Sequence, residues 1–164
     1  MKTVQSTNAR TGEPLGAPLM AHTPEQVDKA AEAAALAFAG WQAMAERGVA
    51  FERTDDPAVA GGPPVGHPAM VRQRVPLGPV AMFSASNFPF AFSVLGGDTA
   101  SALAAGCPVV VKAHTGHLLL SIRVFGLIQK VLTSLNLPAG LIGLVQGGGS
   151  DVGVRLMQPA SIAA

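Results

Sequence analysis

The chain is short of charge. Only 13% of its 164 residues are Asp, Glu, Lys or Arg, and the formal net charge is +1. That is about half the usual charged share. It gives no electrostatic case for binding nucleic acid or a membrane surface. A soluble protein this poor in charge hides much of its surface, in an oligomer or a larger fold. There is one cysteine, so no internal disulfide is available, and a cytoplasmic location is the expectation. Hydrophobic runs break before about 18 residues, so no transmembrane helix is expected. The N-terminus MKTVQS has one cation and no apolar segment of the kind a signal peptide needs. Tyrosine is absent and tryptophan occurs once. What is abundant is small and apolar: 49% hydrophobic residues and 19 glycines. The length suits one domain, which could bury roughly two-thirds of its unfolded surface.

Residues 3 to 20 carry turn signals at Asn8, Gly12 and Pro14 between short apolar stretches and read as a hairpin. Thr23-Pro24-Glu25-Gln26 has the form of a helix start. Thr23 caps, Pro24 suits the first helical position and Gln26 completes a capping box. Val27, Ala30, Ala31, Ala34, Phe38 and Trp41 then recur at helical spacing, which predicts a helix ending near Met44. Residues 48 to 70 hold Asp55-Asp56-Pro57, Gly61-Gly62-Pro63-Pro64 and His67-Pro68, and read as an extended loop or linker.

From Val75 strands and helices alternate. Strands are expected at Val80–Phe83, Val109–Lys112 and Ile142–Val145. Helices are expected over Phe88–Ala105, Leu118–Leu135 and Asp151–Met157, and Ser161–Ala164 could begin a further strand. The fold class is therefore α/β: a partial Rossmann-like open parallel sheet with helices on both faces and right-handed crossovers, preceded by an N-terminal hairpin and helix. The domain organisation is 1–45 for that hairpin and helix, 46–74 for a linker, and 75–164 for a partial nucleotide-binding domain.

Ligands of open parallel sheets bind off the carboxyl ends of the strands. Asn87 and Lys112 both fall there. Asn87 could donate a hydrogen bond to developing charge on a substrate oxygen, or cap the following helix with Pro89 just inside it. Lys112 could meet a ligand or be a solvated strand end. Gly147-Gly148-Gly149-Ser150-Asp151-Val152-Gly153 lies between a strand and a helix, where backbone can approach an anion, but its spacing is not GxGxxG. His114 and His117 form an H-x-x-H pair with no nearby carboxylate, and no metal site is expected. Cys107 reads as a small buried hydrophobe, and Asp98 as a structural or solvated carboxylate.

Ser86-Asn87-Phe88-Pro89, followed by Ala104-Ala105-Gly106-Cys107-Pro108-Val109-Val110-Val111-Lys112, resembles the nucleotide-binding domain of the aldehyde dehydrogenase superfamily. The Lys112-Ala113-His114 variant resembles the branch that oxidises 2-oxoglutarate semialdehyde and fatty aldehydes. The likeness covers Val75 to the C-terminus and, more loosely, residues 1 to 45. Residues 46 to 74 match poorly, as if by internal deletion. The resemblance implies an NADP- or NAD-dependent oxidoreductase acting on an aldehyde. It assigns Asn87 to the oxyanion hole, Lys112 to the adenosine ribose, and Gly149 and Gly153 to adenine-side contacts. NAD-preferring relatives carry Glu three residues after the lysine, where this chain has Thr115. NADP is therefore expected over NAD. The family's cysteine nucleophile and glutamate base would lie beyond Ala164, so the chain resembles a truncated fragment, inactive alone, that self-associates or takes a complementary C-terminal part. The alternative is a non-catalytic nucleotide-binding or interaction module using the same rim.

Overall fold

A computed structural model of the chain describes residues 2–48 and 53–164. The hairpin forms as expected: β1 (Thr3–Thr7) and β2 (Pro14–Met20) pair antiparallel. Helix α1 (Pro24–Gly48) starts on a reciprocal capping box. The Thr23 N–H donates to Gln26 Oε1 at 2.8 Å, and the Gln26 N–H donates to Thr23 Oγ1 at 3.3 Å. The helix runs past Met44, the end that its apolar stripe predicts.

Within the expected linker, β3 (Arg53–Asp56) and β4 (Met70–Gln73) form a two-stranded antiparallel ribbon. The prolines and glycines between them exclude a helix and an interior strand, but a free ribbon needs neither. Residues 49–52 of that segment lie outside the described residues.

The central sheet is parallel, in the order β5 (Val80–Phe83), β6 (Val109–Lys112), β7 (Ile142–Val145). Its register places Phe83 beside Lys112 and Lys112 beside Val145, so the three carboxyl ends are level. One face packs Val110 and Val145 against Val27 and Ala34 of α1 and against Val152 and Leu156. The other packs Met82, Val109, Val111 and Ile142 against Val94, Ile128 and Leu132. Burial on both faces explains why β6 is an unbroken β-branched run with no alternation.

The helix expected from Phe88 is shorter. Residues 88–96 are turns, and α2 spans Gly97–Ala104. Gly96-Gly97 supply no helical preference, and Phe92 is drawn back so that its carbonyl accepts the Ala85 N–H at 2.9 Å. Helix α3 (Leu118–Ser134) follows a 3₁₀ turn at Thr115–His117. The 20 residues Thr115–Ser134 have the length and mean hydropathy of a membrane span, although charged residues interrupt them. In this fold the helix lies on the sheet with Leu118, Ser121, Ile128 and Leu132 buried. The expected helix from Asp151 begins as a π turn, Gly149–Gly153, and ends as the single α turn α4 (Val154–Leu156). Arg155 at its end grips Asp28 of α1 through both carboxylate oxygens. The last residues are not a regular strand, yet they lie along β5. The Ala163 N–H donates to the Pro79 carbonyl at 2.8 Å, and the Ala164 carbonyl accepts the Ala81 N–H at 2.6 Å.

Candidate functional site: the carboxyl rim of the parallel sheet

Three segments meet at the rim: the loop after β5, the turn after β6, and the glycine-rich turn after β7. Lys112 ends a strand of four buried residues, VVVK. It is 8% exposed, with no hydrogen-bond or ion-pair partner among the described residues. Burial pulls its ammonium below the usual lysine range. An unpaired cation with a buried stem costs stability unless a ligand pairs with it.

Thr115 is the first residue of the 3₁₀ turn and is half-buried. The turn is capped by His114, whose Nδ1 accepts the Gly116 N–H at 3.0 Å. Burial, and behind it the charges of His117 and Lys112, holds His114 below its ordinary pKa. The His114 and His117 rings stack with centroids 5.6 Å apart. Their ring nitrogens are largely committed: His117 Nε2 to the Ala85 carbonyl at 2.7 Å, and its Nδ1 to Ser121 Oγ at 3.1 Å.

Asn87 is exposed on the loop after β5, and its side-chain amide has no partner among the described residues. Helix α2 begins ten residues later, capped by Gly96, so Asn87 caps no helix. Its loop and the Thr115 turn touch: a Cβ added at Gly116 would lie 4.0 Å from Ser86 Cβ. Gly149 is exposed with open space over its Cα, whereas Gly153 is buried, and a Cβ there would sit 3.4 Å from Phe83 Cε1. The structure thus brings Lys112, Thr115 and the Asn87 loop together, with Gly153 reaching the same rim through Phe83. Sequence reasoning missed Phe83, a 46%-exposed aromatic at the end of β5, and the bond from His117 to Ala85. The strand's hydrophobic run hid the first, and the 32-residue separation hid the second. Cys107 is 4% exposed and lies outside this group, at the entry to β6.

A cavity of about 770 Å³ adjoins the other side of the glycine-rich turn, lined by Val4, Met20, His22, Pro24, Asp151 and Val152 among others. Asn87, Lys112 and Thr115 do not line it. His22 joins the hairpin to β7. Its backbone N–H donates to the Gln146 carbonyl at 2.8 Å, and its Nδ1 accepts the Gln146 N–H at 2.7 Å. Burial holds the imidazole below its ordinary value of 6.5, against an opposing pull from the Gln146 backbone. As pH falls the unfolded chain therefore takes up the proton first. This contribution to stability is full above about 6.5 and is lost as pH drops toward the lower folded value. We expect the thermal midpoint to fall between pH 7.5 and 5, with His22→Asn showing a shallower fall. An unchanged slope in that variant would contradict this account.

The aldehyde dehydrogenase family model matches residues 53–164, more than half of the chain. Alpha-ketoglutaric semialdehyde dehydrogenase 2 of Azospirillum brasilense is 48% identical over 109 residues, covering 66% of this chain and 21% of that protein. Alpha-ketoglutaric semialdehyde dehydrogenase of Acinetobacter baylyi is 39% identical over 115 residues, covering 70% and 22%. The chain thus spans about a fifth of the length of these curated relatives. Among solved structures, PnpE in complex with nicotinamide adenine dinucleotide superposes with a TM-score of 0.76 at 21% identity, over 98% of this chain and 41% of that one. The glyceraldehyde-3-phosphate dehydrogenase GapN of Methanocaldococcus jannaschii, complexed with NADP, gives a TM-score of 0.73 at 15% identity, over 97% and 44%. The sheet order, the level strand ends and the family match agree: the chain belongs to the aldehyde dehydrogenase family.

Proposed function

We propose that this chain is the nucleotide-binding part of an NADP-preferring aldehyde dehydrogenase that oxidises the semialdehyde of a 2-oxo acid. The observation that carries the proposal is Lys112, a nearly buried cation with no partner among the described residues, at the carboxyl rim of a parallel sheet. The rim fits a nicotinamide dinucleotide. Lys112 and the Thr115 hydroxyl would hold the ribose and its 2′-phosphate, and the open backbone at Gly149 admits close approach. The bound cofactor supplies the hydride acceptor. Asn87, exposed and with no side-chain partner among the described residues, would donate a hydrogen bond to the substrate oxygen as charge develops there. In this reading the thiolate that attacks the aldehyde and the base that activates water would come from polypeptide outside these 164 residues. The substrate class is suggested by two relatives that are alpha-ketoglutaric semialdehyde dehydrogenases.

Amide shift mapping tests the proposal. Addition of NADP should move the resonances of Lys112, Thr115, Gly149 and Gly153 and leave the β3–β4 ribbon unchanged. Saturable shifts confined to the cavity beside His22 would overturn the assignment.

A further inference from the structure

We infer that His117 is a positioning residue for Asn87, holding the loop that presents its amide; the catalytic value of this rests on the proposed oxyanion role of Asn87. The loop is secured at successive points before Asn87. The Ser84 N–H donates to the Lys112 carbonyl at 3.1 Å, and the Ala85 N–H donates to the Phe92 carbonyl at 2.9 Å. His117 Nε2 then donates to the Ala85 carbonyl at 2.7 Å. A carbonyl only accepts, so Nε2 carries the proton and the tautomer is fixed by geometry. The far side of the ring meets Ser121 Oγ at 3.1 Å, and Ser121 is fully buried on α3. The His114 ring, inclined at 28°, stacks on one face. The imidazole is thus held by a helix, a stacked ring and a loop at once.

Ala85 is therefore pinned at both its N–H and its C=O, two residues before a side chain that has no partner among the described residues. That is the arrangement a preorganised donor needs: a rigid support under a free amide. The same ring belongs to the turn that begins at Thr115, directly after the strand ending in Lys112. His117 therefore ties the loop assigned to the aldehyde to the turn assigned to the cofactor. It touches neither substrate nor cofactor in this role.

The test reads Asn87 itself in the free chain, so it does not depend on cofactor binding. His117→Phe keeps a flat ring for stacking and removes the Nε2 donor. We expect the Ala85 backbone amide, which donates to the Phe92 carbonyl at 2.9 Å, to exchange about tenfold faster, as loosening of the loop by loss of one hydrogen bond implies. The Asn87 side-chain amide signals should move, while the Trp41 indole N–H, bonded to the Leu103 carbonyl at 2.9 Å, keeps its shift. His117→Gln, which returns an N–H donor at the Nε2 position, should restore Ala85 exchange to within about twofold of the parent and return the Asn87 side-chain signals toward it. Unmoved Asn87 signals in a folded His117→Phe, or a Gln variant no closer to the parent than the Phe variant, would overturn the inference. If His117→Phe does not fold, the parent chain decides: a nitrogen shift showing protonated Nε2 supports the inference, and a bare Nε2 overturns it. Failure of cofactor binding with these results intact would instead remove the proposed function and leave the positioning geometry standing.

Discussion

The 164-residue chain incubated alone with NADP and aldehydes is expected to form no NADPH. The reaction requires a thiolate that can reach the carbonyl carbon and a base for the hydrolytic water. Cys107 is the chain's one cysteine and is 4% exposed; its Sγ lies 3.9 Å from the Ala105 carbonyl at the entry to β6. Buried in this way, it lacks the exposure that a reactive cysteine needs. The chemical step is expected to be absent, not merely slow, over a panel that includes 2-oxoglutarate semialdehyde. NADPH production that disappears in Cys107→Ser would contradict this.

Thr115→Glu should reverse the cofactor preference. The parent is expected to bind NADP more tightly than NAD, since a hydroxyl at Thr115 can donate to a 2′-phosphate and no carboxylate opposes it. A glutamate there would repel that phosphate and accept hydrogen bonds from the ribose hydroxyls of NAD. Each gain or loss of a charge-assisted bond is worth roughly 1.5–3 kcal/mol, so the ratio of the two affinities should change by about a hundredfold or more. Calorimetric titration of both cofactors into both proteins checks it. Equal affinities in the parent, or an unchanged ratio in the variant, would sink the role given to Thr115. Because Thr115 is half-buried on a short turn, the thermal midpoint of the variant needs to be measured alongside.

The elements legible in the sequence were those whose local chemistry is decisive. The Thr23–Gln26 box starts α1 as its residues dictate. The runs Val80–Phe83, Val109–Lys112 and Ile142–Val145 form strands at those bounds. A short β-branched run closed by glycine or proline has few alternatives. The misread elements depend on partners distant in sequence. Residues 88–96 have enough apolar character for a helix, but the Ala85–Phe92 bond and the Gly96-Gly97 pair hold them as turns. The ribbon of β3 and β4 joins strands separated by a proline- and glycine-rich loop, where no periodicity announces a pairing. At the site, Lys112 and Asn87 were visible as residue types at strand ends, and Thr115 through the family resemblance. That Lys112 has no partner among the described residues, that Asn87 caps no helix there, and that His117 spans the two loops are facts of packing. No spacing rule encodes them.

We propose that Lys112 lacks a protein partner among the described residues because a nucleotide supplies one. Lys112→Met replaces the stem with an apolar side chain of similar reach and removes the desolvated charge. A residue serving the fold alone would lose stability on such a change; one retained for a ligand would not. The decisive measurement is calorimetric titration of NADP into the parent and Lys112→Met chains, with the thermal midpoint of each recorded in the absence of cofactor. The account predicts a midpoint that is unchanged or higher in the variant and NADP binding weaker by roughly tenfold to a hundredfold. NADP affinity that is unaltered by Lys112→Met, in a chain of undiminished stability, would contradict it.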